Sequence, residues 1–254
     1  MISASLDNFF GIDAVKEDVN ATLKSLARPC TLCRLGQACP DNSGLIWKGN
    51  VAAHVAVIGD MPSDLDMQTR IAFCSSSKHS YLEEWLTTAG VPSTDVFYSY
   101  MVQCKTPSHE TKEKDAEFQP IWEQRPPARD EIKRCFAPRC VRLLKALPNL
   151  EVVIPLGLAT QTAFLGGNPQ ARTHHGFWFG SDLLPGVAFF GLPHPREFDS
   201  ETGELKRGRV KQKLEYFKTE YFGRPGVGAE VIPPRKVLGI LALREQERKD
   251  SRQI

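Results

Sequence analysis

The sequence predicts an α/β fold: three layers, α/β/α, with a central, mainly parallel four-stranded sheet. Short apolar runs rich in β-branched residues recur at Val55–Ile58, Val96–Val102, Glu151–Leu156 and Val187–Leu192. The run EVVIPL at 151–156 is continuous in apolar residues, as a strand covered on both faces requires. Stretches of helical periodicity separate these runs, and that alternation is the pattern that builds a parallel sheet through crossover connections.

The first helix is expected over Asp13–Ala27, with Val15, Val19, Leu23 and Leu26 at helical spacing. Cys30-Thr31-Leu32-Cys33 follows, with Cys39 shortly after. A CxxC hairpin lets two thiolates point at one metal or cluster, and its partner pair must come from elsewhere in the chain. The strand Val55–Ile58 stops at Gly59-Asp60-Met61-Pro62-Ser63, and two further acids follow at Asp64 and Asp66. A core strand that ends in a polar loop is where an open α/β sheet places its ligand. Next come Ile71-Ala72-Phe73-Cys74 and a serine run, Ser75–Ser77. A helix over His79–Ala89 turns Leu82, Trp85 and Leu86 inward and stops at Gly90. The second strand ends at Gln103-Cys104. Residues 105–129 are polar and punctuated by proline, which predicts a long surface loop with Trp122 as its anchor.

A helix over Asp130–Leu147 carries Cys135 and Cys140, and Gly157 opens a shorter one over Ala159–Leu165. Gly176–Gly180 and Val187–Leu192 are further strands, the last ending at Pro193-His194-Pro195-Arg196. Basic helical segments are expected at Leu205–Lys218 and Pro234–Arg248. The organisation is therefore one domain over 1–222 and a charged helical tail over 223–254.

Composition narrows the function classes. The chain has 254 residues, 41% of them hydrophobic, enough for a sizeable core. No apolar run approaches the roughly 20 residues of a membrane span. The N-terminal stretch lacks a basic segment followed by an apolar one, so a cytoplasmic location is expected. A net charge of +2 is too small to argue for nucleic acid by itself. Seven cysteines is an odd and high count. A reducing compartment disfavours a disulfide framework, which leaves metal ligation or buried thiols.

Three strand ends carry polar groups: the Asp60/Asp66 loop, Ser99-Tyr100 and His194-Pro195. A parallel sheet brings all three to one edge. Two acids and a histidine there suit hydrolysis by an activated water, with an acid orienting or deprotonating the water and the histidine stabilising a departing anion.

From Cys30 to about Phe198 the chain resembles the iron–sulfur-containing uracil-DNA glycosylases, family 4 of that superfamily. The CxxC is Cys30/Cys33, and the GE(A/G)PG loop is Gly59-Asp60-Met61-Pro62-Ser63. Asp64–Asp66 and Arg70–Phe73 follow as the acidic stretch and the GxPF element. AGVPSTDVFYSYMVQCKTP is similar to the family's AGI-P-x3-VYITNVVKCRPP. Glu131-Ile132-x-x-Cys135 resembles E-I-x-x-C, Ile154–Gly157 its LG, His175-Gly176 its RG, and His194-Pro195 its HPS.

The resemblance implies that Cys30, Cys33, Cys104 and Cys135 ligate a structural 4Fe–4S cluster, with Cys39 and Cys140 lacking counterparts. It implies that Phe73 stacks on an extruded base, with Met61 and Tyr100 beside it in the base pocket. It makes His194 the group that hydrogen-bonds the base carbonyl, and leaves Asp60 or Asp66 to position water. Ser63, Ser75 and Arg196 suit phosphate contacts, and Phe198 falls where the family inserts an apolar wedge. The departures are informative. The asparagine that reads uracil by a two-point hydrogen bond is Tyr100 here, and tyrosine cannot copy that pattern.

The expected function is a monomeric DNA glycosylase that flips a base and hydrolyses its glycosidic bond, leaving an abasic site. The expected base is a modified pyrimidine rather than plain uracil, of the kind some viruses place in their DNA, which would make this a defence enzyme. The alternatives are a uracil repair glycosylase, a non-catalytic DNA-binding protein on the same scaffold, and a hydrolase using the cysteines and histidines as a zinc site.

Overall fold

The chain folds, in order, through β1 (Trp47–Gly49), β2 (Val55–Gly59), β3 (Val96–Tyr100), β4 (Ser108–Lys114), β5 (Pro120–Gln124), β6 (Val152–Pro155), β7 (Trp178–Phe179) and β8 (Ala188–Phe190). This computed structural model describes residues 18–38, 44–74, 76–114, 120–165, 176, 178–194, 210, 212–215 and 217–218. Six strands form one sheet in the order β1-β3-β2-β6-β8-β7, and β4 and β5 pair separately. The four inner strands β3, β2, β6 and β8 are mutually parallel, as expected. The sheet is larger than four strands because β1 and β7 add antiparallel edges. Those edges are three and two residues long, too short to leave an alternating pattern in the sequence.

The helices are α1 (Val19–Leu26), α2 (Arg34–Ala38), α3 (Asp64–Thr69), α4 (Ser76–Thr88), α5 (Arg129–Cys135), α6 (Arg142–Ala146) and α7 (Gly157–Leu165). Asp18 caps α1 by accepting the Asn20 amide at 2.9 Å. The single helix expected over Asp130–Leu147 is interrupted between α5 and α6 by a π-helical turn, Phe136–Val141. Pro138 lies within it and has no N–H for the preceding turn, a common cause of such a break. The stretch 105–129, expected to be a loop, contains the β4–β5 hairpin. Its first strand, SHETKEK, has no apolar face, so periodicity could not reveal it.

The inner strands feed two apolar layers. Val55, Val57, Tyr98, Tyr100, Ile154 and Phe190 face one cluster, which includes Leu82, Trp85 and Leu86 of α4. Ala56, Ile58, Phe97, Val153 and Phe189 face the other, with Leu143, Leu144, Phe164 and the cysteines Cys33, Cys104, Cys135 and Cys140. Alternation along each strand therefore supplies both faces of the α/β/α sandwich. From β2 the chain passes to β3 on one side and later to β6 on the other. The carboxyl ends of β2 and β6 flank that topological switch point, where an open α/β sheet forms its binding crevice. No helix among the described residues is long and apolar enough to cross a membrane.

Candidate active site and four-thiol centre

Beyond β2 the backbone stays paired with the end of β3. Gly59 O accepts the Met101 amide at 2.7 Å, and Asp60 O accepts the Val102 amide at 2.9 Å. This holds Asp60 at the sheet edge with its Oδ1 accepting the Met61 amide at 2.9 Å. His194 arrives from β8. An isolated bridge joins Leu156 to Leu192, and the Leu192 carbonyl accepts from the Gly157 amide and from Gln161 Nε2, each at 2.8 Å. His194 Nε2 lies 3.3 Å from Asp60 Oδ1, with 18% and 17% of the two side chains exposed. The expected meeting of an acid and the histidine is thus a meeting of Asp60 with His194. Gly157 makes room for it: its φ is +79°, and a Cβ there would lie 3.1 Å from His194 Cβ.

Asp66 is placed differently. It is 2% exposed and closes a capping box at the start of α3 with Ser63. Its Oδ2 accepts from the Ser63 amide and the Ser63 hydroxyl, both at 2.7 Å, and from the Tyr100 hydroxyl at 2.8 Å. Its Oδ1 accepts the Cys74 amide at 2.7 Å. Four donors occupy this carboxylate, which ties the loop after β2 to the loop carrying Phe73. The Ser63 hydroxyl, considered for phosphate, also accepts the Asp66 amide at 3.2 Å.

Phe73 has a left-handed backbone, φ 54°. Its amide donates to the Tyr100 hydroxyl at 2.9 Å, and its ring stacks on the Tyr100 ring with centroids 4.8 Å apart. Both rings crowd Gly59, where a Cβ would come within 2.9 Å of each. Tyr100 is 4% exposed. Burial, and then the charge of Asp66, hold its hydroxyl far above the ordinary tyrosine range. A hydroxyl already donating to Asp66 and accepting from Phe73 has no donor left for a base edge. Met61, also expected at the base, packs its side chain into the second apolar cluster, where Thr106 Oγ1 lies 2.9 Å from its sulfur. Ser75, Arg196, Phe198, Cys39 and His175 lie outside the described residues.

A cleft of about 710 Å³ opens elsewhere, between α2, α3 and residues 104–107. Neither Asp60, Phe73, Tyr100 nor His194 lines it, so it is not the crevice at the strand ends.

Cys30, Cys33, Cys104 and Cys135 are buried, between 4% and 7% exposed, and all are free thiols. They lie within electrostatic reach of one another. Burial first, then Cys135, Cys33 and Cys30, push the Cys104 thiol up to about 12. Burial pushes Cys135 up to about 11, against the opposing effects of the Gln103 amide and the Arg139 charge. Cys140 is raised by burial and by Cys135. Among the described residues no set of three or more His, Cys, Asp or Glu closes on a point that could hold one metal ion. A bound cationic centre would supply the charge that keeps such thiols ionised.

Two features around this centre escaped sequence reasoning. Arg139, the buried cation on the π-helical turn, donates to the Leu26 carbonyl. Glu131 accepts the Ala128 amide at 2.8 Å and pairs in a two-pronged fashion with Arg125, fixing the start of α5, whose last residue is Cys135. The spacing E-I-x-x-C hinted at the second, since Glu131 and Cys135 sit one helical turn apart.

The six-stranded sheet with helices packed on it, and a topological switch point between β2 and β6, define the protein as an α/β fold. A family model for the Uracil DNA glycosylase superfamily matches residues 46–218, more than half the chain. The chain belongs to that superfamily, whose enzymes act on DNA, and membership supports a DNA glycosylase-type function. A solution NMR structure from Methanosarcina acetivorans, described as a candidate uracil DNA glycosylase, aligns at a TM-score of 0.36 with 9% identity. It covers 70% of this chain and 98% of that one, a likeness too slight to add to the family assignment.

Proposed function

We propose that this chain is a monofunctional DNA glycosylase acting on a modified pyrimidine. The observation that carries the reading is the Asp60–His194 pair, 3.3 Å apart, Asp60 following the Gly59 that Phe73 packs over. In this reading the extruded base stacks on Phe73. Asp60 orients the attacking water, its side chain keeping 17% of its surface exposed and carrying fewer donors than that of Asp66. His194 donates to the base carbonyl as the glycosidic bond breaks and negative charge moves onto the base, so its hydrogen bond strengthens toward the transition state. The water oxygen bonds to the sugar C1′ while the base leaves with the bond pair; the water's surplus proton passes to solvent, the base anion takes one up from solvent, and an abasic site remains.

The engaged Tyr100 hydroxyl supports a substrate other than plain uracil, because the two-point reader of the family has no replacement at that position. A modified pyrimidine in viral DNA, and hence a defence role, extends this reading. Cys30, Cys33, Cys104 and Cys135 would hold a 4Fe–4S cluster. When bound, it would serve as a structural cross-link between the N-terminal segment, the end of β3 and α5.

The test incubates the protein with duplexes carrying uracil, 5-substituted uracils or 5-substituted cytosines, and reads strand breakage after alkali. The expected result is cleavage of a 5-substituted base ahead of uracil. His194→Ala should then cleave about 100- to 1,000-fold more slowly while still binding DNA. Normal cleavage by His194→Ala would make the histidine merely structural, and fast excision of plain uracil would restore the repair reading.

A further inference from the structure

Phe73 sits in a backbone conformation that its own chemistry disfavours. A left-handed residue with a Cβ crowds the following carbonyl oxygen, and aromatic residues lack the short polar side chain that makes the region tolerable for Asn or Asp. Such strain persists only where the surroundings over-determine it, and it gathers at functional sites. Only Arg70 and Phe73 among the described non-glycine residues adopt a positive φ, and both lie in the short connection after α3.

Five contacts over-determine Phe73, one of them the tilted Tyr98 ring with its centroid 5.8 Å away. Its own amide is held by the Tyr100 hydroxyl at 2.9 Å. The next amide, that of Cys74, is held by Asp66 Oδ1 at 2.7 Å. One ring face lies on the Tyr100 ring at 4.8 Å, with the planes 23° apart. The ring edge rests over Gly59, where even a methyl group would collide with it. Tyr100 and Asp66 are themselves joined, hydroxyl to carboxylate, at 2.8 Å. Asp66 is anchored in turn by the Ser63 cap of α3. The chain of bonds therefore runs from the Phe73 amide through the Tyr100 hydroxyl and the Asp66 carboxylate to the N-terminus of α3. Burial, and then the Asp66 charge, favour the protonated hydroxyl on this path.

We propose that Tyr100 and Asp66 are positioning residues for Phe73: together they lock its left-handed backbone and cover one face of its ring, so that only the opposite face is offered to an extruded nucleobase. This rests on the reading of Phe73 as the base-stacking residue. It assigns Tyr100 a role other than reading the base edge, and Asp66 a role other than activating water. The slot of a polar reader has become the support of the stacking platform. Recognition at this point thus depends on a π-face, which every base has, rather than on an edge pattern.

The experiment compares wild type, Tyr100→Phe and Asp66→Asn by two readouts. The first is amide hydrogen exchange. Losing the hydroxyl should speed exchange at Phe73 and Cys74 about tenfold more than at Val153 and Ile154 in the sheet core, since local opening is then uncoupled from global stability. A purely structural loss would raise all four together.

The second readout is affinity for two duplexes differing at one nucleotide opposite guanine. One carries the non-cleavable 2′-fluoro analogue of the best-cleaved 5-substituted nucleoside, the other a tetrahydrofuran abasic analogue. Wild type should prefer the base-bearing duplex by about tenfold, the worth of one base on one aromatic ring. Tyr100→Phe should lose most of that preference and keep its affinity for the abasic duplex. Asp66→Asn, which replaces two of the acceptor sites by a donor, should behave alike and serves if the tyrosine variant does not fold. A preference that survives both substitutions, with uniform exchange, overturns the proposal alone. A wild-type protein that binds the two duplexes equally overturns the reading of Phe73 and the proposal with it.

Discussion

Gly157→Ala is the sharpest probe of the Asp60–His194 pair, because it disturbs the histidine while both side chains of the pair keep their chemistry. The added Cβ has two effects. At φ +79° it incurs the left-handed penalty, about 1–2 kcal/mol for an L-residue. It would also stand 3.1 Å from His194 Cβ, so that side chain must yield by a few tenths of an ångström. His194 Nε2 is 3.3 Å from Asp60 Oδ1, already at the limit of a hydrogen bond, and a small displacement breaks the pairing. A misplacement of about 1 Å costs roughly 100-fold in rate, so a shift of a few tenths should cost about tenfold. Gly186→Ala is the matched control. Its φ is +82°, but nothing lies within 4 Å of the added atom. Urea unfolding should show both variants destabilised by about 1–2 kcal/mol. Single-turnover excision on the best substrate of the panel should slow only in Gly157→Ala. Equal slowing in both variants, or a wild-type rate in Gly157→Ala, would refute the placement of His194 at the chemistry.

Two further outcomes follow from the thiol centre and its surroundings. Cys135→Ser should emerge from anaerobic purification with less iron, paler colour and lower stability, whereas Cys140→Ser should keep its iron; iron content unchanged in Cys135→Ser would sink the ligand assignment. The Arg125 hydrogen bonds, ahead of the other influences, hold Glu131 below its ordinary value near 4.5. Its contribution to stability is therefore complete above that value and is lost as the pH falls through the lower folded value. Glu131→Gln should unfold at lower urea than wild type at pH 7, with the gap closing as the pH falls below 4.5. Urea midpoints that stay equally far apart from pH 7 to strongly acidic conditions would show that the charge pair contributes nothing.

Much of this protein is legible in its sequence, and the limits have physical causes. The four parallel strands could be read because each is a run of buried apolar residues, a signal that needs no knowledge of neighbours. The site edge could be read because parallel strands must all end on one side, so polar loops after them converge whatever their order. The box Ser63-x-x-Asp66 was also present as a pattern, S-x-x-D ahead of a short helix, but Asp66 looked equally apt as a catalytic acid. Which acid meets His194 depended on register: Gly59 pairs with Tyr100, and Leu192 is bridged to Leu156. That sets Asp60, one residue past its strand, opposite a histidine two residues past its own bridge. No local pattern encodes such a distance, because it arises from separate strands laid side by side. The same holds for Tyr100. Alternation puts it on the face of Tyr98, but only the packed sheet decides that this face holds Phe73 and Asp66. A side chain's partners across the chain are a property of tertiary packing. The sequence alone therefore determined the class of fold, the edge where its polar strand ends gather and the residue types available there. Tertiary structure decided which of those residues touch, because contacts between distant segments follow from strand order and register rather than from any local preference.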